Sequence, residues 1–454
     1  MEKKYDYVIV GAGIAGLLTG ALLSSDNNSV AVVDKNQNCG GYVHNLAVKV
    51  PYGAHHLGIP DMKLLSDLCD KLDISFREHL IGADEITVDL DGEVYSVTLR
   101  LDQQKKQLMD YFPEERDHIE TFMRYMEDFG SRLYQDEANE VRKYFLQLVN
   151  VPFEKLLRNY FSDQKLIRLL TFLGPCYGGV DQTDSAFTYA SLISTYGRGA
   201  YYFDDYGEWL IQELTAYIRG KEQSGIINGF QVQSIRFGEA DGCYDVYDQR
   251  GNKICGSNII FANYFVDILK EYCDHAAIAD RKLEKIFQME VGPSAYRMYF
   301  KIEKKLARNE CVHIGAMEGE QIADHSFILS TMDNEECNVM LTVVADAKVL
   351  KKAEKEIAEE SGRVVAEYFH IQEENVKSIA VCTPEGRQKT TLNKAGAVFG
   401  WKRNVKNNMT ANLIYEISKS IKNVYVVGNW SATFGIFGTI YTVGKLYHQL
   451  GGEQ

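Results

Sequence analysis

Apolar residues fall along this chain in three kinds of run, and each kind predicts a different element. Short unbroken runs at 7–10, 29–33 and 424–427 read as parallel strands buried on both faces. Alternating residues over 85–101 read as a hairpin turning at Asp91-Gly92. Further strand-like segments lie at 225–237, 242–248, 258–262, 296–302 and 339–344. Helical spacing marks 62–72, with Leu65, Leu68, Cys69 and Leu72 on one face, and about 207–219, with Leu210, Ile211, Leu214, Tyr217 and Ile218 in a stripe. Most of 103–173 is helical in pattern, 351–370 is a charged helix, and a last helix starts near Gly438. Two stretches lack a period: 173–199, rich in Gly, Tyr and Phe, and 383–401, which reads as loop.

The first two buried runs enclose Gly11, Gly13 and Gly16 in the spacing G-x-G-x-x-G, with an apolar helical stretch at 17–23 behind them. Asp34 ends the second run, 18 residues past the last glycine. Gly11 permits a tight turn, Gly13 lets the backbone approach a pyrophosphate, and Gly16 allows close helix–strand packing. The helix N-terminus offers N–H groups and partial positive charge to phosphates. Asp34 stands where it can accept hydrogen bonds from a ribose hydroxyl. A basic MEKK before an apolar run also suits a signal peptide. That reading leaves the glycines and the second strand unexplained, so the segment is read as a dinucleotide site.

Composition narrows the rest. A chain of 454 residues predicts two or more domains. A net charge of −14 without a basic block argues against nucleic acid and against docking on anionic lipid. The nine cysteines stand singly with no C-x-x-C, which disfavours a disulfide framework or structural zinc and fits a reducing cytosol. No second run of 18 apolar residues occurs, so stable membrane insertion is not expected. No metal-ligand spacing and no internal repeat are found, which suggests interleaved rather than beaded domains.

These landmarks together resemble the flavin amine oxidase and phytoene desaturase superfamily, closest to its carotenoid isomerase and retinol saturase-like branch. VIVGAGIAGL with Asp34 resembles the family's FAD fingerprint, and Cys39-Gly40-Gly41 its double-glycine extension. The segment 52–58, YGAHHLG, is similar to the branch's G-x-H-x-x-G, and 153–170 to its helical substrate segment. The strand at Val232 resembles the adenine-contacting strand. TPEGRQKTTLNKAGAVFGW and NVYVVGNWSATFGIFGTIYTVGKL resemble the flavin-closing motifs. Tyr42 stands where many relatives carry a basic residue, Asn429 where an acid is common, and Asp34 where glutamate is usual. The run 431–434 lacks the usual proline.

The resemblance implies an α/β fold of the amine oxidase or GDP-dissociation-inhibitor type. A Rossmann-like FAD-binding domain (1–80, 200–285 and 376–454) would be interleaved with an α+β substrate domain (81–199 and 286–375). It implies non-covalent FAD held by Gly11, Ala12, Gly13, Ile14, Ala15, Gly16, Asp34, Lys35, Gly40, Gly41, Tyr42, Val232, Gly428, Asn429, Gly435, Ile436 and Phe437. Amides around Ile436 and Phe437 would face the flavin N1–C2=O edge, where negative charge grows on reduction. His55 and His56 are the candidate catalytic pair, since histidine can move a proton near neutrality; adjacent side chains diverge, so one at most faces the flavin. Tyr177, Tyr189, Tyr196, Tyr201, Tyr202 and Tyr206 are either packing or an aromatic substrate wall, and Tyr441 is a further candidate.

The expected function is a cytoplasmic FAD-dependent dehydrogenase (desaturase) moving hydride between a small, partly apolar substrate and flavin N5. The alternatives are an amine or amino-acid oxidase, a carotenoid-type isomerase or saturase, and a non-catalytic escort protein of the GDP-dissociation-inhibitor type. An amino-acid oxidase needs a carboxylate clamp, typically arginine, and no motif position supplies one.

Overall fold

The computed structural model describes residues 4–43, 57–58, 62–82, 85–90, 92–134, 138–178, 183–203, 205–239, 241–304, 311–315, 326–333, 338–433 and 435–451. Its frame is two seven-stranded sheets. In the first, the strands run in the order Gly225–Asn228, Val30–Asp34, Lys4–Val10, Lys253–Phe261, Cys243–Asp248, Val232–Gly238, and Val424–Val426 also pairs with Lys253–Phe261. Every pairing among the strands Gly225–Asn228, Val30–Asp34, Lys4–Val10, Lys253–Phe261 and Val424–Val426 is parallel. The unbroken apolar runs follow from burial of both faces. Ile9, Val30, Val32 and Ile260 pack on the side of helices Ile14–Ser25, Glu208–Arg219 and Gly435–Gln449. Their neighbours Val8, Val10, Ala31, Val33, Ile259 and Phe261 pack on the opposite side with Phe265, Leu269, Ile286 and Trp401.

The second sheet runs Val376–Cys382, Ser294–Ile302, Asn338–Ala345, Ser326–Asp333, Cys311–Gly315, Glu85–Leu90, Glu93–Thr98. It is antiparallel except where Cys311–Gly315 meets Glu85–Leu90. Side-chain alternation divides its central strands. Tyr296, Met298, Phe300, Val339, Leu341 and Val343 bury against helix Ala347–Phe369. Arg297, Tyr299, Met340 and Thr342 therefore share the other face, where Tyr299, Met340 and Cys382 form a small core that Tyr42 joins. Beyond Glu85–Thr98 lies a layer of helices from Leu101–Tyr111 to Ala186–Tyr196, with its own core around Phe122, Phe129, Phe153 and Tyr189. A short third sheet joins Leu57–Gly58, Ala200–Phe203 and Leu80–Gly82.

The structure departs from the sequence pattern at several places. The strand-like run 225–237 is two strands, broken where Gly229 takes φ +71°. The periodless 173–199 holds the end of helix Gln164–Gly178 and the whole of Ala186–Tyr196. That second helix is buried on nearly every side, so no polar face exists to give it a period. The loop-rich 383–401 contains helix Pro384–Thr391, whose N-cap Thr383 accepts from the Gly386 N–H at 3.0 Å ahead of a proline in the first turn. The last helix begins at Gly435, ahead of Gly438. No helix among the described residues is long and apolar enough to cross a membrane. Among them no group of three or more His, Cys, Asp or Glu could hold a metal.

Candidate functional site

A cavity of about 460 Å³ opens at the C-terminal ends of the parallel strands, the place where open α/β sheets bind ligands. The glycine loop builds one wall, and its three glycines are there for different reasons. Gly11 has φ +110° and follows the first strand, its N–H donating to the Val33 carbonyl at 2.8 Å. A Cβ on Gly16 would lie 1.8 Å from the Gly11 carbonyl oxygen, so the helix can cross the strand only without one. Gly13 is unlike both. Its backbone is extended (φ −78°, ψ 179°), and an added Cβ would meet nothing closer than the Gly41 Cα at 3.9 Å. Nothing in the folded chain requires glycine there; what a side chain would fill is the cavity.

Helix Ile14–Ser25 starts at this point with no side-chain cap, and Gly13, Ile14 and Ala15 line the cavity with its first turn. The N-terminal N–H groups and the helix dipole suit an anion at that spot. Gly40 and Gly41, both at positive φ, return alongside: the Gly40 N–H donates to the Ala12 carbonyl at 2.8 Å. Asp34 lines the cavity next, and its carboxylate accepts from the Ala12 N–H at 2.7 Å and the Asn36 N–H at 2.8 Å. Beside it, burial lowers the pKa of Lys35, whose ammonium donates to the Lys389 carbonyl. Phe230, Gln231 and Val232 continue this end. Asn263 also faces it, with a buried Oδ1 that has no hydrogen-bond partner.

The opposite wall comes from segments far apart in the chain. The Tyr42 hydroxyl donates to the Ala397 carbonyl at 2.6 Å and accepts from Asn393 Nδ2 at 2.6 Å. Asn393 Oδ1 in turn accepts from Trp430 Nε1 at 2.6 Å, and Asn429 Nδ2 donates to the Val398 carbonyl at 2.8 Å. This chain of bonds ties the double-glycine loop to both late segments. Burial raises the Tyr42 pKa, so its phenol stays protonated. Phe399, Gly435, Ile436, Thr439, Tyr196 and Arg297 complete the wall.

Of the residues expected to hold a cofactor, Gly11, Gly13, Ile14, Ala15, Asp34, Lys35, Gly40, Gly41, Tyr42, Val232, Asn429, Gly435 and Ile436 line this one cavity. Ala12 instead bonds to Asp34, and Gly16 packs under Gly11. Gly428 packs against Ala15, where a Cβ would lie 2.8 Å from the alanine's own. Phe437 is half-buried away from the lining. His55 and His56 lie outside the described residues. Among the described tyrosines of the expected aromatic wall, Tyr196 lines the cavity; Tyr189 is a core residue stacked on Phe153 at 3.4 Å, and Tyr441 is exposed. Arg297 and Asn263 carried no signal in the sequence, because a single polar residue at the end or middle of an apolar strand has no motif around it. Asn393 and Trp430 fell inside segments already set apart.

The family model described as NAD(P)-binding Rossmann-like domain matches residues 9–72. No curated protein matches the chain. Solved structures match over its whole length. An oxidoreductase from Methanosarcina mazei has a TM-score of 0.72 at 15% identity, covering 98% of this chain and 100% of its own. A putrescine oxidase variant, from a redesign of its cofactor binding, has a TM-score of 0.72 at 13% identity over 99% of both chains. Cyclohexylamine oxidase from Brevibacterium oxydans IH-35A has a TM-score of 0.67 at 13% identity over 98% of both. The chain has the mixed α/β fold of these oxidases, with a Rossmann-like nucleotide-binding domain.

Proposed function

We propose that the protein is an FAD-dependent oxidoreductase, a dehydrogenase (desaturase) acting on a small, partly apolar substrate. The carrying observation is Gly13: the fold leaves its side-chain position vacant, at a helix N-terminus, on a cavity wall. A pyrophosphate is the group that needs such a bare backbone. Asp34 and Asn263 suit a ribose and base, and the Ile14–Ala15 turn suits the phosphates. Ile436, Phe399, Val398 and Tyr196 supply apolar contact for a flat ring and a substrate beside it. When bound, the flavin supplies a two-electron acceptor. One of His55 and His56 remains our candidate for holding the proton that leaves the substrate.

Amine oxidation is the second reading, favoured by what the names of the putrescine and cyclohexylamine oxidases say of those proteins. It asks the same residues to hold the same cofactor. The isomerase-type branch has less behind it, because none of the structures compared above carries that activity in its name. A cytoplasmic location with no nucleic-acid partner fits the acidic charge.

The test is cofactor uptake. Purified protein should be yellow or take up added FAD, and denaturation should release the flavin and leave a chain of unmodified mass. A colourless protein that refuses FAD would favour the escort-protein reading instead.

A further inference from the structure

The two walls of the cavity are bonded together in two places, and the places differ in their contact with water. At Tyr42 the bonds to Ala397 and Asn393 are partly buried, and the bond from Trp430 to Asn393 is fully so. At Lys35 and Asn36 they are exposed. The Lys35 ammonium donates to the Lys389 carbonyl, and Asn36 Nδ2 donates to the Thr390 carbonyl at 3.1 Å, each across 354 residues of chain. Lys35 and Asn36 line the cavity from one side, and Thr390, Thr391 and Leu392 line it from the other. The second pair of bonds therefore stands on the cavity's rim.

The far side of this bridge is a helix end. In Pro384–Thr391 the Gln388 carbonyl accepts from the Leu392 N–H at 2.9 Å, and the carbonyls that follow it lie beyond the reach of the helix's own N–H groups. Lys35 and Asn36 cap two of them, and the cation suits the negative end of the helix dipole. The root of the helix is fixed. Arg387 is fully buried and donates to the Ala295 carbonyl at 2.6 Å, and Gly396 folds back until a Cβ would lie 2.2 Å from the Pro384 carbonyl oxygen. The loop opposite is fixed as well, since the Asp34 and Asn36 carbonyls accept from the N–H groups of Phe230 at 2.8 Å and Gly229 at 3.2 Å. The tip is the weak part: Leu392 ends the helix at φ +60°, a left-handed conformation costly for any residue with a Cβ. Relative movement of the two segments falls to that last turn.

We propose that the last turn of Pro384–Thr391 is a gate over the cavity, latched by Lys35 and Asn36, and that it controls the exchange of FAD with solution. The inference rests on the FAD-dependent reading above and concerns the regulation of that same site. An exposed hydrogen bond trades its partner for water at small net cost, whereas opening a buried one strands its groups, so the rim opens before the joint at Tyr42. A latch bonds wall to wall and makes no bond to the ligand. It holds the loaded and the unloaded protein closed alike, so it slows entry and exit by the same factor. Loss of a direct contact to the cofactor has another signature: exit speeds up, entry stays as it was, and binding weakens.

The measurement is FAD uptake by the apoprotein and FAD release from the loaded protein, both followed by flavin fluorescence after rapid mixing. Lys35→Met should speed both rates about tenfold and Asn36→Ala both about threefold, with the dissociation constant staying within about threefold of wild type. Lys35→Arg keeps a cation at the helix end and should recover most of the latch. The two bonds are at the surface, so the variants should fold and melt close to wild type. Wild-type rates in the double variant Lys35→Met/Asn36→Ala overturn the proposal. So does a variant that speeds release alone and weakens FAD binding in proportion, since the residue would then be holding the cofactor itself. A wild-type protein that takes up no FAD overturns the cofactor reading and this inference together, whereas a loaded protein whose exchange rates ignore both substitutions overturns this inference alone.

Discussion

The two walls of the cavity are built in opposite ways. The glycine-loop wall comes from about thirty consecutive residues, and its parts are placed by backbone geometry: a positive φ at Gly11, a vacant side-chain position at Gly13, a close crossing at Gly16. The far wall is assembled from Tyr42, Tyr196, Arg297, Asn393 and Trp430, which come from five separate segments and are held by side chains. One wall is local and made of backbone. The other is long-range and made of hydrogen bonds. A local wall forms wherever its strand, turn and helix form, so cofactor binding can be specified by a short motif. A long-range wall exists only once both sheets and the helical layer are in place, so substrate choice is specified by the whole fold.

The sharpest way to break this comparison separates two glycines three residues apart. Gly13→Val should abolish FAD uptake while the thermal midpoint stays close to wild type, because the added atoms enter the cavity rather than the packed chain. Gly16→Ala should do the reverse of that separation. Its Cβ collides with the Gly11 carbonyl, so the fold itself should lose about 1–3 kcal/mol, and FAD uptake should fall with it. FAD titration and thermal melts of the two variants give the answer. Full FAD uptake by Gly13→Val would mean that no pyrophosphate lies along this loop.

A smaller effect concerns what the far wall rests on. Tyr196 reaches the cavity from the helical layer, and that layer is pinned by Glu115, 4% exposed. Its carboxylate accepts from the Ser162 N–H at 2.7 Å, the Ser162 hydroxyl at 2.6 Å and the Asp163 N–H at 2.7 Å, and pairs with His118 Nδ1 at 2.6 Å. Burial alone would raise its pKa; these bonds outweigh burial and bring it down to about 2. A carboxyl depressed on folding stabilises the protein above its unfolded value, about 4.5, and that contribution disappears as pH falls toward 2. The full amount is about 3 kcal/mol. Denaturant melts of wild type and Glu115→Gln should therefore differ at pH 6 and converge near pH 2. Parallel pH profiles for the two would show that the helical layer does not depend on this carboxylate.

How much of this was legible beforehand follows the same division. The first sheet, its helices and the residues from Gly11 to Tyr42 could be read from the chain because each rests on neighbours a few positions away. The hairpin Glu85–Thr98 was legible for the same reason. Helix Ala186–Tyr196 was not, since burial on nearly every side erased its amphipathic period. Arg297 was not, because its meaning lies in Thr342 and Cys382, which are its neighbours only across strands. Ala12 has a place in the glycine-loop motif, and its amide serves Asp34.

The smallest expected effect falls on the joint between the two walls. Tyr42 belongs to the glycine-loop side by sequence, but its hydroxyl is the link to Asn393, and through Asn393 to Trp430. Tyr42→Phe keeps the ring and removes one donor and one acceptor. The Asn393 amide is not left stranded, because its Nδ2 also reaches the Ala397 carbonyl at 3.5 Å. The Ala397 carbonyl likewise keeps that weaker contact. The loss should then be close to that of a single ordinary hydrogen bond, about 1 kcal/mol of stability. If the walls are independent, FAD affinity should change less than about threefold, since the proposed phosphate site is on the glycine loop and not at this phenol. If the joint sets the width of the cavity, FAD affinity should fall by more than stability does. Paired measurements of the melting midpoint and the FAD dissociation constant on Tyr42→Phe decide between them, and a fall in affinity of about tenfold or more would show that the backbone wall cannot hold its ligand without the side-chain wall opposite.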